Sequence, residues 1–259
     1  MRAWRRRLPI DRAGAEGPAP PAFYAPAARG RLGDAWVVLH PPYTAWHLSY
    51  VVVGASLAPA ARLSTLVATL VAFFLAVGVA AHALDEWNGR PLGTKLPGWS
   101  LLCAGALGLA GALALGALGV ARVGPWLVAF MVVGTFLVVA YDLELLSGRL
   151  HTDWGFAASW GSFPVLCAYF AESRSLGPAA LAAAAGAFGL SLAQRRLSTP
   201  ARRLRRQAVS AEAVVRALDG AATRMGRDQL LGPLEGALAA LSAATVCLAV
   251  ALALARFAG

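Results

Sequence analysis

From Ala45 onward the sequence alternates long apolar stretches with short breaks that hold most of its charged residues. A helix needs about 20 apolar residues to cross the hydrocarbon core of a bilayer. Seven stretches approach or exceed that length, over residues 43–60, 64–86, 98–120, 124–146, 155–172, 177–194 and 234–257. The fifth and sixth are short and rich in Gly, Ala and Ser, which suits close helix packing better than contact with lipid. The pattern predicts an all-α fold, a polytopic transmembrane helical bundle of about seven spans over residues 36–259. Residues 1–35 lack it. Five prolines fall among residues 8–31, and the segment is predicted to be a flexible basic tail that buries no core. No apolar run follows its first arginines, so it does not read as a cleavable signal peptide. A basic cytoplasmic segment is expected over residues 195–232. Within it Val214, Val215, Leu218 and Met225 recur at near-helical intervals and predict an amphipathic helix lying on the membrane surface.

Of the 259 residues, 58% are hydrophobic and only 14% charged, against roughly 45–50% and about 25% in a soluble globular chain. That balance excludes a disordered chain, a secreted disulfide scaffold and a basic soluble DNA-binder, so no nucleic-acid partner is expected. The remaining charge is lopsided, a net +10. Seven arginines precede the first span, nine lie between Arg195 and Arg227, and Arg90 and Lys95 follow the second span. The loops after the first, third and fifth spans carry one arginine each, Arg62, Arg122 and Arg174. Basic loops stay on the cytoplasmic side. The distribution therefore predicts an integral protein of the cell (plasma) membrane with a cytoplasmic N-terminus and Gly259 outside. Trp46, Trp87, Trp99, Trp126 and Trp154 lie near span ends and are expected as interfacial anchors. Cys103, Cys167 and Cys247 each sit in an apolar run and read as small buried hydrophobic residues.

Ionisable groups are expensive beside a membrane and mark function. Here they gather at span ends assigned to one face. The second span ends in AHALDEWNGRPLGTKLP, with His82, Asp85, Glu86, Asn88 and Arg90. The fourth ends in AYDLELLSGRLHTDW, with Tyr141, Asp142, Glu144, Arg149, His151 and Asp153. His40 opens the first span in LHPPYTAWH. His82 and Glu86 are four positions apart and share one helix face, a spacing that can chelate a divalent metal, Mg or another ion, with Asp142 completing the shell. Catalytic chemistry falls to His82, Asp85, Glu86, Tyr141 and Asp142, as metal ligands or as acid and base. Substrate binding falls to Asn88, Arg90, Arg149, Arg195 and Arg196. The arginines from Arg195 to Arg206 admit two roles, bidentate binding of a diphosphate or anchoring on anionic lipid head groups.

Three stretches resemble the UbiA superfamily of intramembrane prenyltransferases. LHPPYTAWHLSYVVVGASLAP is similar to the family's first span, and the second-span end running into NGRPLGTKLP is similar to its first aspartate-rich motif. AYDLELLSGRLHTDWGFAASWGSFPVLCAYF is similar to its fourth and fifth spans. The likeness covers roughly residues 35–206. It implies a bundle of packed transmembrane helices and chemistry on a prenyl diphosphate, whose leaving group the family activates with magnesium held on two aspartate-rich motifs. Anchored on Arg90 and Pro91, the aspartate positions of the first motif fall on His82 and Glu86, and its leading Asn-Asp pair on Gly78 and Val79. Where the second motif would close the sixth span the chain reads GLSLAQRRLSTPARRLRR, with Ser191, Gln194 and Arg195 at the carboxylate positions. The family usually has more spans than the seven read here. The chain resembles a divergent member with degenerate motifs, and magnesium-dependent prenyl transfer of the ordinary kind is not expected of it.

Two functions follow. One is a divergent, prenyltransferase-like enzyme acting on a membrane lipid or isoprenoid from a cytoplasmic His/carboxylate site. The other is a non-catalytic scaffold of the same fold that binds a lipid or a partner. A small-solute transporter fits less well, because no span is broken at its middle by a Gly/Pro pair with a charge.

Overall fold

The computed structural model describes residues 22–26 and 30–258. The chain is mostly helical. A short α1 (Arg31–Leu39) precedes α2 (Pro41–Leu57), and α3 (Leu63–Phe73) runs through a π-helical segment (Phe74–Ala81) into α4 (His82–Trp87). Then come α5 (Gly98–Val123) and α6 (Leu127–Asp142), and α7 (Asp153–Phe156), which a second π-helical segment (Ala157–Ser162) joins to α8 (Phe163–Ser173). Next are α9 (Pro178–Arg202), two strands, β1 (Glu212–Arg216) and β2 (Ala222–Gly226), and α10 (Arg227–Phe257). Helix therefore occupies each of the seven apolar stretches. Three helical runs are long and apolar enough to cross a membrane: Leu63–Trp87, Gly98–Val123 and Arg227–Phe257.

Local chemistry sets several boundaries. Pro41 and Pro178 stand at the first helical positions of α2 and α9, where a missing N–H costs nothing. Gly124 stops α5 with a positive φ of 112°, a conformation open to glycine and strained for other residues. The helices pack where small residues let backbones meet. At Gly54 of α2 there is no room for a Cβ, because the Val165 carbonyl of α8 already fills the place. Gly161 meets Ala187 and Ser191 of α9 in the same manner. Trp46, Tyr50, Val165, Ala184 and Ala187 form the core between α2, α8 and α9. The outward faces are apolar instead: Leu107 and Leu118 of α5, Val132 of α6 and Leu248 of α10 are all exposed.

Four expectations change. Trp46 is fully buried, and its indole N–H donates to the Tyr50 hydroxyl, so it is a core residue and not an interfacial anchor, whereas Trp87, Trp99, Trp126 and Trp154 are exposed. Cys103 and Cys247 are exposed on the outer helix faces and Cys167 is half-buried. The expected amphipathic helix around Val214 is an antiparallel hairpin, so the fold is not purely α. Val214 pairs with Arg224 and Arg216 with Ala222. Asp219 and Gly220 make its turn, with Gly220 at φ 86° and the Asp219 carboxylate accepting from Ala221 N at 2.9 Å. β-branched residues flanking an Asp-Gly turn outweigh a weak helical spacing. Finally, α1 reaches back into the expected tail: Asp34 is buried and accepts from Lys95 N at 2.8 Å, and Val37 packs with Ala83, Leu92 and Leu101. The rest of that tail, apart from residues 22–26 and 30, lies outside the described residues.

Candidate functional site

One end of the bundle holds a polar cavity of about 570 Å³, within the range of small-molecule sites. The starts of α2, α7 and α10 line it, and so do the ends of α4, α6 and α9. Successive helices running in alternating directions bring those termini together. All four histidines of the chain, His40, His47, His82 and His151, reach this one space. So do Asp85, Asp142, Glu144 and Glu235, facing Arg195, Arg202, Arg203, Arg205 and Arg206.

Several rings have a defined hydrogen-bonding sense. His47 Nδ1 lies 2.9 Å from the Trp160 carbonyl, and His151 Nδ1 lies 3.4 Å from the Tyr141 carbonyl. A carbonyl only accepts, so each ring carries its proton on Nδ1 and Nε2 is left as an acceptor. Thr44 gives its hydroxyl proton to the Leu39 carbonyl at 2.6 Å and lies 3.5 Å from His82 Nδ1. His40 lies with its centroid 4.7 Å from that of His82 and is hydrogen-bonded through Nδ1 to the Tyr24 hydroxyl. Tyr141 stacks on His151 at 4.6 Å and meets Trp160 edge-on.

Of the residues singled out in the sequence, His82, Asp85, Asn88, Tyr141, Asp142 and Arg195 line the cavity together. Asn88 ties two span ends to each other, donating to the Asp142 carbonyl at 3.1 Å. Glu86 does not join them. Its side chain is wholly buried and accepts from Leu92 N at 2.9 Å and from both Thr94 N and Thr94 Oγ1 at 2.8 Å. It holds the loop after α4. The expected metal set of His82, Glu86 and Asp142 is therefore divided, and among the described residues no three His, Cys, Asp or Glu side chains form a group fit for a metal ion. Arg90 holds the same loop through the Leu96 carbonyl at 2.7 Å, while Arg149 and Arg196 are exposed outside the cavity.

The sequence reading missed His47, Tyr24 and Tyr43, whereas Arg202, among the arginines weighed for diphosphate binding, and Gln194, at a carboxylate position of the second motif, do reach the cavity. A signal existed for His47: it lies two helical turns beyond His40 on one face, and a histidine inside an apolar stretch is costly without a purpose. Tyr24 had no such signal, since it belongs to the presumed tail. Phe23 and Tyr24 cover one side of the cavity, and Tyr24 packs edge-on against Tyr43.

Six buried polar atoms of the described residues have no hydrogen-bond partner, and four belong to this cavity: Tyr141 Oη, Asp142 Oδ2, Gln194 Oε1 and Arg195 Nε. Arg195 Nε is 3.4 Å from Asp153 Oδ1, but the pair is not aligned for a hydrogen bond. Unsatisfied buried groups are costly, and their concentration here leaves hydrogen-bonding capacity in this cavity that a polar solute or water can fill.

A second cavity of about 150 Å³ runs between α3, α5, α6 and α8. Its lining is almost wholly apolar, with Leu113, Gly116, Phe130, Met131 and Phe163 among its walls. Val77 and Trp160 border both spaces. Comparison with protein-family models, with curated proteins and with solved structures finds no match for this chain.

Proposed function

We propose that the chain is a divergent UbiA-like integral membrane protein that processes a lipid or isoprenoid, with the substrate's polar head in the histidine-lined cavity and its tail in the apolar groove. The observation that carries this reading is the junction at Val77 and Trp160, where a polar cavity with four unsatisfied polar atoms adjoins an apolar one. Only an amphiphile satisfies both compartments at once. The alternating helix directions and the exposed apolar faces of α5, α6 and α10 support a bundle of about seven spans. The arginine-rich end of α9 and the arginines before the first span support a cytoplasmic position for the cavity and the N-terminus in a plasma membrane.

At the head group, His47 carries an unprotonated Nε2, the form a general base requires, and His82 lines the same cavity. Tyr141 and Asp142, which line the same cavity, supply an acid and an orienting carboxylate. A group-transfer or hydrolytic reaction at a lipid head is the chemistry this set performs.

The test is the lipid that co-purifies with the full chain, identified by mass spectrometry in wild type and in Asp142→Asn and His82→Gln. An enzyme enriches one lipid class, and the variants accumulate the unreacted form, with a different head group from that found on wild type. The same enriched lipid on all three proteins would instead favour the non-catalytic scaffold. A bound fraction identical to the bulk membrane would sink both.

A further inference from the structure

We propose that the cavity recognises a phosphate head group that itself bears hydroxyls, as in an inositol or sugar phosphate lipid, with the phosphate held directly on Arg195 and Arg202 and the hydroxyls on Asp142, Gln194 and Tyr141. The proposal rests on the lipid reading above and specifies the head.

Arg195 and Arg202 stand two helical turns apart on one face of α9, and both line the cavity. Arg205 is neutralised by a bidentate pair with Glu235 at 2.5 Å. Among the described residues no carboxylate comes within ion-pair distance of Arg202, whose one hydrogen bond is a 3.5 Å contact with Thr199 Oγ1 of its own helix. Arg195 leans its guanidinium over the Phe156 ring and keeps Nε without a hydrogen-bonded acceptor. Two guanidiniums in one cavity form an anion site, and their fork geometry fits phosphate oxygens. They bring the positive charge that a divalent ion brings elsewhere, so this phosphate needs no metal bridge.

The other orphaned atoms are of the opposite kind. Asp142 Oδ2 and Gln194 Oε1 are acceptors lacking a donor, and Tyr141 Oη can take either role. All three side chains are more than nine-tenths buried. A bare phosphate offers them nothing and meets repulsion at Asp142. An ammonium satisfies Asp142 but sits beside Arg195, the chain neighbour of Gln194. Neutral hydroxyls satisfy all three groups without charge conflict, and the stacked Tyr141 and His151 rings give a ring-shaped polyol a flat wall.

Binding of phosphatidylinositol, phosphatidic acid and phosphatidylethanolamine of matched acyl chains to the detergent-purified full chain tests this, with and without EDTA. Phosphatidylinositol is expected to bind roughly ten-fold tighter than phosphatidic acid, the worth of one or two hydrogen bonds to buried polar groups, and EDTA is expected to change nothing. Arg195→Gln and Arg202→Gln weaken both lipids. Gln194→Met and Asp142→Asn remove the preference for phosphatidylinositol, Asp142→Asn in part by relieving the repulsion of phosphatidic acid, and having two such variants guards against misfolding in either. Equal binding of the inositol and phosphatidic acid lipids, preference for phosphatidylethanolamine, or loss of binding in EDTA overturns the proposal while leaving the lipid reading intact. Binding of no lipid overturns both.

Discussion

Val77 and Trp160 each occupy a π-helical segment and together form the only shared border of the two cavities found among the described residues. The two side chains pack in one cluster with Ala81, Leu84, Val138 and Tyr141. A π turn inserts one residue into a helix and re-aims the side chains that follow. The segment in the second span places Val77 at the junction and is followed directly by His82, while the one between α7 and α8 places Trp160 there, just after Phe156.

Narrowing that junction separates head binding from tail binding. Val77→Phe is expected to reduce affinity for a long-chain lipid at least several-fold while a water-soluble head-group analogue binds as before. Parallel titrations of the two ligands measure this, and an equal loss for both would show that Val77 serves packing alone.

Glu86 looks catalytic in the sequence and structural in the fold. Its carboxylate accepts three hydrogen bonds from the 92–94 loop in a fully buried site. Glu86→Ala strands those donors, at about 1–3 kcal/mol for the buried groups left unmade, and the melting temperature in detergent is expected to fall clearly. Loss of lipid binding at an unchanged melting temperature would return Glu86 to the site.

The segment at Tyr24 is expected to contribute to stability, contrary to the dispensable tail that composition suggests. Its hydroxyl bonds His40, and its carbonyl accepts from the Trp36 indole at 3.3 Å. Deleting residues 2–30 is expected to lower the melting temperature and to make His40 reactive toward diethyl pyrocarbonate. If both stay at wild-type values, the contact carries no weight.

Burial raises the Tyr24 phenol above its ordinary value of 10. The folded state therefore keeps a proton that the unfolded chain gives up, and stability is present below about pH 10 and declines as pH climbs beyond it. Tyr24→Phe is expected to show a shallower alkaline decline than wild type in melting experiments between about pH 8 and pH 11. Superimposable profiles would place the alkaline loss on other groups.

The hairpin after α9 is expected to tolerate damage. Gly220→Val forces a β-branched residue into a positive-φ turn, costing on the order of 1–2 kcal/mol locally. The exposed position of Val214, Val215 and Leu218 confines that cost to the hairpin. Faster proteolysis near Leu218 with an unchanged global melting temperature is the expected pair of results, and a global fall would show the hairpin is coupled to the bundle.

The length of the apolar runs located the long helices, because a helix apolar over about 20 residues leaves a mark in the sequence, whereas α1 and the hairpin escaped it. Charge placement alone likewise brought His82 and Asp142 to one end, since alternating helices leave every second terminus on the same face. What the sequence could not decide was the direction of each side chain within a turn. Asp85 and Glu86 are adjacent and chemically alike, yet one opens into the cavity and the other is consumed by a loop, because successive helical residues point about 100° apart. The two π-helical segments shift that phase again, and no residue type announces them. Tyr24 was illegible for another reason: it reaches the site across a long-range contact to His40 that only the packed chain creates. The hairpin carried a local signal in Asp219 and Gly220, and there the turn residues proved better evidence than the spacing of four hydrophobic side chains.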